Sequence, residues 1–196
     1  MRAEPSAAGL VDEVGAVAAA ADLLVRVSGD VAPVLGAGND DLELGRAYLA
    51  AIGRWAVPAW PVEHGGAGLG PEDVGVVRRV LGTYAVPDLY PFAVGLALVG
   101  PTLLMQGTSD QQARWLAPIA RGDEIWCQLF SEPDAGSDLA GLTTRAERDG
   151  DAWRLTGTKV WASRAHYARW GLCLARTDWS VPKHACIPVF AVDLEA

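Results

Sequence analysis

Apolar residues recur at helical spacing through the first part of the chain. Over residues 10–27, six of them fall on one side of a helix: Val14, Val17, Ala18, Ala21, Leu24 and Val25. The spacing predicts further helices over residues 40–55, 71–84, 92–106 and 108–122. The helix over 92–106 is expected to bend near Pro101, because proline cannot donate a backbone hydrogen bond. The pattern therefore predicts a helical bundle over residues 1–122.

Local signals mark where these helices begin and where loops separate them. Pro71 suits the first position of a helix, and Thr108 with Gln111 has the spacing of a capping box. Residues 29–39 and 60–70 are rich in glycine and proline, so loops are predicted there. The bundle is thus expected to contain well-defined helices joined by irregular connections.

The pattern changes at residue 125, where short apolar or alternating segments replace the helical spacing. Strands are predicted over residues 125–130, 142–148, 153–155, 159–161, 170–176 and 187–192. Turns such as Asp149-Gly-Asp separate the strands. Residues 123–196 are therefore predicted to form a small antiparallel β domain. The expected fold class is α+β, a helical bundle followed by this sheet domain.

A polar loop follows the first of these strands. Ser131 places a hydroxyl at the strand end, Pro133 fixes the turn, and Gly136 permits close approach of the backbone to a large ligand. Two interpretations are open, because serine, proline, aspartate and glycine are also the residues of any surface turn. The loop is either part of a ligand pocket or an ordinary turn.

The order of residues in this loop, Ser-Glu-Pro-Asp-Ala-Gly-Ser-Asp over 131–138, resembles the signature of the flavin-dependent acyl-CoA dehydrogenases. Four more segments resemble that family in the same order, at residues 60–68, 107–116, 149–161 and 175–178. The resemblance covers roughly residues 46–193. It implies the family's fold, an FAD cofactor and a role in the fatty acid β-oxidation class of lipid metabolism.

The resemblance also implies which residues form the binding site. Those expected to contact FAD are Gln128, Leu129, Phe130, Ser131, Gly136, Ser137, Trp161, Ala162 and Ser163. The Trp161 indole would pack beside the flavin and the Ser163 hydroxyl would donate toward N5; the alternative is a core tryptophan followed by a turn serine. Ser137 is also expected to reach the CoA portion of the substrate. Phe92 and Leu96 are expected to line the acyl pocket, although an apolar helix face is more often core.

The reaction implied is the α,β-desaturation of an acyl-CoA thioester. In the family, the carboxylate that removes the α-proton belongs to a C-terminal helical bundle, and this sequence ends at Ala196 partway through the β domain. No catalytic residue is therefore assigned, and Glu132 resembles a family loop residue with a structural role. The isolated chain is expected to be inactive. Alternatives are an inactive flavin- or acyl-CoA-binding partner subunit, an acyl-CoA oxidase or a nitroalkane oxidase.

Charge and composition limit the partners. The net charge is −8, with 15 acidic and 8 basic residues in 1–124 and 9 and 8 in the remainder. Nucleic acid is therefore an unexpected partner. The expected partners are an acyl-CoA substrate, an electron-transfer protein, and another subunit or a missing C-terminal segment, since an unpaired sheet edge favours association. Arg164, Arg169 and Arg176 suit either CoA phosphates or a solvated face.

The remaining features indicate neither a metal site nor membrane insertion. The histidines at 64, 166 and 184 lack metal-ligand spacing. Cys127, Cys173 and Cys186 are odd in number and lack C-x-x-C spacing, so they are interpreted as reduced core residues. The first residues do not resemble a signal peptide, and the apolar run over 94–104 is too short to span a bilayer. A cytoplasmic location is expected.

Overall fold

The chain divides into two units, Met1–Asp123 and Glu124–Ala196. The computed structural model describes residues 6–20, 25–26 and 41–195. The first unit is mainly helical and the second contains most of the strands, so the α+β class predicted from the sequence is confirmed. No helix among the described residues is long and apolar enough to cross a membrane.

Six helices and a two-stranded ribbon make up the described part of the first unit. The helices are α1 (Ala7–Ala20), α2 (Leu42–Ile52), α3 (Pro71–Leu81), α4 (Tyr90–Val94), α5 (Gly100–Gln106) and α6 (Ser109–Arg121). Strands β1 (Val25–Arg26) and β2 (Tyr84–Ala85) pair antiparallel. Short 3₁₀ turns occur at Gly53–Ala56 and Val62–His64.

The β1–β2 ribbon shows that two helices were predicted too long. Val25 pairs with Ala85 in a strand instead of continuing the first helix, whose predicted positions 21 and 24 lie outside the described residues. The helix that begins at Pro71 ends at Leu81, before Tyr84. The loop predicted over 29–39 also lies outside the described residues. Sequence periodicity extended both helices because it does not register a pairing between distant segments.

The core of the first unit includes close contacts between an aromatic ring and glycines. Phe92 is 2% exposed, and a Cβ atom added to Gly45 would lie 2.4 Å from its ring. A Cβ on Gly122 would lie 2.9 Å from the same ring. Leu10 and Val14 of α1 are fully buried. The apolar side predicted for α1 therefore packs inward, and α2 approaches Phe92 because residue 45 has no side chain.

A π-helical segment, Gly95–Val99, lies between α4 and α5, just before Pro101, where a bend is predicted. At its end the Gly100 amide donates to the Gly95 carbonyl oxygen, five residues earlier. This π-helical turn is wider than an α-helical turn, and it precedes Pro101, which has no amide proton to donate. Gly100 also lies against the Trp60 ring, which a Cβ atom there would approach to 2.1 Å. Tertiary packing and the proline together account for the interruption.

The capping box predicted at the start of the last helix is confirmed. The Thr108 hydroxyl accepts from the Gln111 amide at 3.3 Å, and the Gln111 side chain accepts from the Thr108 amide at 2.9 Å. The helix ends at Gly122, which has φ of 73°. Glycine favours this left-handed conformation, so the local sequence fixes both ends of α6.

The second unit contains a three-stranded sheet and a separate hairpin. Its strands are β3 (Trp126–Leu129), β4 (Arg145–Asp149), β5 (Ala152–Thr156), β6 (Trp170–Leu174) and β7 (Val189–Asp193). The sheet order is β3-β6-β7, and β4 pairs antiparallel with β5. The β6–β7 pair is also antiparallel. One pair, β3 with β6, is parallel, with Trp126 opposite Trp170, which departs from the antiparallel pairing predicted for the domain. The connection between these two strands contains the hairpin and is long enough for a parallel crossover.

Two further details of the predicted sheet domain are wrong. Residues 159–161 form no strand; this part of the described chain is a loop in which Trp161 has a positive φ of 59°. Cys186 is exposed, whereas Cys127 and Cys173 are buried and all three are free. Burial raises the pKa of the Cys127 and Cys173 thiols. These two therefore behave as core thiols, as predicted.

Candidate functional site

The first predicted segment of the site lies on strand β3 and its continuation. Gln128 and Leu129 pair with Leu172 and Cys173 of β6. The Gln128 side chain is exposed, while Leu129, Phe130 and Ser131 are half-buried. Because β3 is at the edge of the sheet in the described residues, one row of its backbone groups points away from β6. Those groups can serve as donors and acceptors for a ligand.

The loop after β3 is closed by reciprocal backbone hydrogen bonds. The Glu132 amide donates to the Ala135 carbonyl oxygen at 3.0 Å, and the Ala135 amide donates back at 3.2 Å. Gly136 and Ser137 follow and are exposed. A Cβ atom added to Gly136 would meet nothing within 4 Å. The chain's own packing does not require glycine there, so close approach of a ligand to Gly136 stays a prediction.

The second predicted segment, residues 161–163, is joined to the first by one backbone hydrogen bond. The Val160 amide donates to the Ser131 carbonyl oxygen at 2.9 Å. The Trp161 side chain that follows is 88% exposed. Ala162 is half-buried and Ser163 is exposed. The structure thus brings the Ser131 strand end beside the Trp161 turn, and it excludes the alternative that Trp161 is a core residue.

A buried ion pair lies next to this junction. Lys159 Nζ is 2.8 Å from Glu132 Oε1, and the two side chains are 8% and 3% exposed. The other contacts of the carboxylate come from the Thr143 amide and hydroxyl, at 2.6 and 2.7 Å, and from the Thr144 amide at 2.9 Å. Lys159 also donates to the Phe130 carbonyl oxygen at 3.2 Å. The pair links three segments of the second unit.

Electrostatics make Glu132 a permanent anion at neutral pH. Burial by itself would raise its pKa, but the hydrogen bond from Lys159, followed by those from Thr144 and Thr143, lowers the pKa to about 2. A carboxylate with so low a pKa is a poor proton acceptor. The positive charge of the Lys159 ammonium is balanced by this carboxylate. The structural role expected for Glu132 agrees with these contacts.

A second set of contacts holds the loop that carries Ser137. Arg176 is 3% exposed, and its Nη2 donates to the carbonyl oxygens of Ala140, at 2.6 Å, and Lys183, at 2.8 Å. The Lys183 ammonium contacts Asp138 Oδ2 at 2.6 Å. The hydrogen bond from Lys183 lowers the pKa of Asp138. Arg176 therefore lies on no solvated face, and its donors at Nη2 bind the chain itself.

The two other arginines considered as phosphate ligands differ in their surroundings. Arg169 forms ion pairs with Asp193, at 2.7 Å, and with Glu195. Arg164 is half-buried and has a positive φ of 61°. Arg169 is thus already neutralised by carboxylates of its own unit.

The residues predicted to line an acyl pocket belong to the first unit. Phe92 packs against Gly45 and Gly122 in the core, as the alternative of a plain core face anticipates. Leu96 is half-buried and lies in the π-helical segment. π-helical turns are frequent at functional sites, so Leu96 keeps its place among the candidates. A substrate contact of Phe92 or Leu96 stays a prediction.

The donor set of the second unit fits a flavin dinucleotide. Hydroxyls and backbone amides suit the carbonyl edges of a flavin ring and the oxygens of a diphosphate, and they do so without a full positive charge. Ser137 and Ser163 present exposed hydroxyls, and Trp161 presents an exposed indole face. Among the described residues, no group of three acidic, histidine or cysteine side chains is placed to hold a metal ion.

The sequence did not reveal the Glu132–Lys159 pair or the buried position of Arg176. Each partner lies far away in the chain: the sequence separation is 27 for Glu132 and Lys159 and 36 for Ala140 and Arg176. The available signal was weak: a lysine preceding the apolar residues Val160 and Trp161. A charged residue in an apolar setting often has a buried partner, but the sequence does not say which one.

Comparison with protein families gives two matches in order along the chain. Residues 41–123 match the family model described as acyl-CoA dehydrogenase, N-terminal domain. Residues 127–196 match the model described as acyl-CoA dehydrogenase, middle domain. The junction between the two matches coincides with the division between the two structural units.

Similar curated proteins carry related names. Acyl-CoA dehydrogenase FadE34 of Mycobacterium tuberculosis is 47% identical over 148 residues, which are 74% of this chain and 20% of that protein. Acyl-CoA dehydrogenase IpdE1 of the same organism is 40% identical over 178 residues, covering 87% of this chain and 46% of that protein. This chain therefore spans half or less of the length of these relatives.

Similar solved structures give the same proportion. The Tcur3481-Tcur3483 steroid ACAD superposes with a TM-score of 0.71 at 31% identity, covering 100% of this chain and 50% of that chain. The ChsE4-ChsE5 complex from Mycobacterium tuberculosis gives a TM-score of 0.68 at 31% identity, covering 98% and 48%. The similarity extends over both units of this chain and over about half of each of these structures.

Proposed function

Because this chain belongs to the acyl-CoA dehydrogenase family and matches the models of its N-terminal and middle domains, we propose that it binds FAD noncovalently within an acyl-CoA dehydrogenase. The observation that carries the proposal is the hydrogen bond from the Val160 amide to the Ser131 carbonyl oxygen. It joins the two segments that the family resemblance assigns to the flavin, and both lie in one structural unit.

The binding residues divide by chemistry. Amide and hydroxyl donors from Gln128 through Ser131, and from Gly136 and Ser137, hold the carbonyl edge of the ring system and the diphosphate. Trp161, Ala162 and Ser163 cover one part of the flavin, with the indole in contact and the Ser163 hydroxyl donating toward it. When bound, FAD supplies the acceptor for the hydride equivalent that leaves the substrate β-carbon.

The chain's own carboxylates near this site are unsuited to removing the substrate α-proton. Glu132 is bound by Lys159 and two threonines and has a pKa of about 2. Asp138 is bound by Lys183, which lowers its pKa as well. A general base needs a pKa closer to the working pH. We therefore assign the base to a segment or subunit outside these 196 residues.

Assembly with a second protein is proposed from the names of two similar structures. Two of the similar structures are named for two proteins each, Tcur3481 with Tcur3483 and ChsE4 with ChsE5. By analogy, this chain would pair with a subunit that supplies the base, and an electron-transfer protein would reoxidise the flavin. Because Tcur3481-Tcur3483 is described as a steroid ACAD, a steroid-derived acyl-CoA is the first substrate class to test, before fatty acyl-CoA.

The test is turnover by the native assembly, isolated through an affinity tag on this chain. With an acyl-CoA and an artificial electron acceptor, the assembly should form the α,β-unsaturated product, detected by mass spectrometry as a loss of two hydrogens. The 196-residue chain alone should give only background, because it lacks a suitable base. Turnover by the chain alone would show that a base among the described residues had been overlooked.

The competing function is that of a partner subunit that binds flavin or acyl-CoA without taking part in turnover. The same preparation separates the two functions. Replacing Trp161 with leucine should lower turnover if this chain holds the reacting flavin. Unchanged turnover, in an assembly that still contains the variant chain, would favour the inactive partner.

A further inference from the structure

The ion pair between Glu132 and Lys159 forms a buried polar cluster with several hydrogen bonds in the second unit. Each carboxylate oxygen accepts two hydrogen bonds, one set from Thr143 and the other from Lys159 and Thr144. Lys159 adds a bond to the Phe130 carbonyl oxygen. A carboxylate so fully bound has little freedom to reorient. The cluster therefore fixes the relative positions of residues 130–132, 143–144 and 159.

The two segments assigned to the flavin, residues 128–131 and 161–163, lie directly beside this cluster in the chain. Ser131 precedes Glu132 in the chain, and Trp161 follows Lys159 by two residues. Between them, Val160 donates its amide to the Ser131 carbonyl oxygen. The distance between the Ser131 hydroxyl and the Trp161 turn is therefore set by the ion pair and by this single backbone bond.

The backbone of the Trp161 turn is in an unfavourable conformation, and packing of the Trp161 side chain does not stabilise it. Trp161 has φ of 59° and Arg164 has φ of 61°, and both are in the left-handed region that residues with a Cβ atom avoid. The Trp161 indole is 88% exposed, so its packing within this chain contributes little. A turn of this kind persists only where the flanking structure determines it. On its N-terminal side, that flank is Lys159 and Val160.

Lys159 itself is unavailable to a phosphate. The Lys159 side chain is 8% exposed, and its ammonium contacts the Glu132 carboxylate and the Phe130 carbonyl oxygen. Any effect of Lys159 on a dinucleotide must therefore act through the position of other residues.

We propose that Lys159, paired with Glu132, is a positioning residue for FAD that sets the spacing of Ser131 and Trp161. This inference rests on the proposed function, because it assumes that these two segments contact the flavin. Without the pair, the Trp161 turn relaxes from its left-handed conformation, and the indole no longer meets the ring held at the β3 edge.

The experiment compares FAD binding to the native assembly carrying one of three changes in this chain. Lys159→Met removes the ammonium, and the double variant Glu132→Gln/Lys159→Met also removes the carboxylate, so that no charge is left buried alone. Arg154→Met is the matched control, because its ion pair with Asp149 is exposed at 69% and 57%. FAD affinity is measured by titration of the apoprotein. Flavin fluorescence per bound FAD reports the contact with the Trp161 indole, which quenches it.

We expect the two Lys159 variants to bind FAD about tenfold or more weakly and the bound flavin to be more fluorescent. The Arg154 variant should match the wild type in both measurements. Wild-type affinity with unchanged quenching in the double variant would overturn the positioning role. Weaker binding with unchanged quenching would also overturn it, since that result indicates lower stability only. Should Lys159→Met fail to fold, the double variant decides. A wild-type assembly that takes up no FAD would instead contradict the proposed function.

Discussion

Replacing Glu132 with glutamine should destabilise the second unit by an amount that depends on pH. The substitution keeps the size of the side chain but removes the charge that Lys159 binds at 2.8 Å. Lys159 would remain buried without a counter-ion, which is costly. Glutamine has one acceptor oxygen where glutamate has two, so it can accept from the Thr143 amide or from the Thr144 amide but not from both. The loss therefore reports the charge together with one of these hydrogen bonds.

The magnitude follows from the pKa of the carboxyl group. Lowering it from 4.5 to about 2 on folding stabilises the folded state at neutral pH by about 3 kcal/mol, at about 1.4 kcal/mol per pKa unit. Because the pKa of Glu132 is lower in the folded state, its contribution to stability is fully present above pH 4.5 and is lost as the pH falls toward 2. More than half of the contribution is therefore lost by about pH 3. The difference between wild type and Glu132→Gln should shrink accordingly.

Urea denaturation followed by tryptophan fluorescence, at about pH 7 and about pH 3, measures this difference. Amide hydrogen exchange at Thr143 and Thr144 shows whether the loss is local, because both amides donate to Glu132. Asp149→Asn, which removes an exposed ion pair, is the control and should change little at either pH. A difference between wild type and Glu132→Gln that is below about 1 kcal/mol at pH 7, or that is equal at both pH values, would refute the reasoning.

Three further substitutions test the packing. Gly157→Ala should lower the stability of the second unit by about 1–3 kcal/mol, because its Cβ would lie 2.7 Å from Thr144 Cα; calorimetry that shows an unchanged melting temperature would contradict this. Arg176→Met should lower the free energy of unfolding by about 2 kcal/mol or more and speed proteolysis of the 138–141 loop, because it removes the hydrogen bond to the Ala140 carbonyl oxygen. An unchanged rate of cleavage would contradict this expectation. Thr108→Ala should cost about 1 kcal/mol through loss of the capping bond to Gln111, and urea denaturation with an unchanged midpoint would contradict it.

The sequence predicts those features that depend on neighbouring residues. The capping box of α6 is an example, since Thr108 and Gln111 are three residues apart and bind each other. The buried positions Val14 and Ala18 of α1 are another, because helical spacing alone places them on one side. The turn at Asp149-Gly-Asp, where Gly150 has φ of 62°, is a third.

Features that depend on distant partners were not predicted. The π-helical segment Gly95–Val99 ends where Gly100 packs on Trp60, forty residues earlier in the chain. Residues 159–161 read as a strand because Val160 and Trp161 are apolar, yet Lys159 turns inward to meet Glu132 and Trp161 faces solvent. Short apolar runs do not reveal such pairings.

The site residues stay a prediction, and the structure adds how the chain holds them. The order of residues around Ser131 and Gly136 is itself a signal, and the family resemblance translated it into a flavin site. The resemblance did not disclose how the chain holds that site, because the partners of Glu132 and Arg176 are separated from them in sequence. Local order thus points to the residues proposed to face a ligand, whereas packing identifies those behind them.

The most direct test of the account is the flavin content of the native assembly purified through this chain. We expect a yellow protein whose flavin is released by denaturation and identified as FAD. Ser131→Ala should weaken FAD binding about tenfold if the hydroxyl donates to the cofactor. A correctly folded, colourless assembly that takes up no added FAD would contradict the central claim.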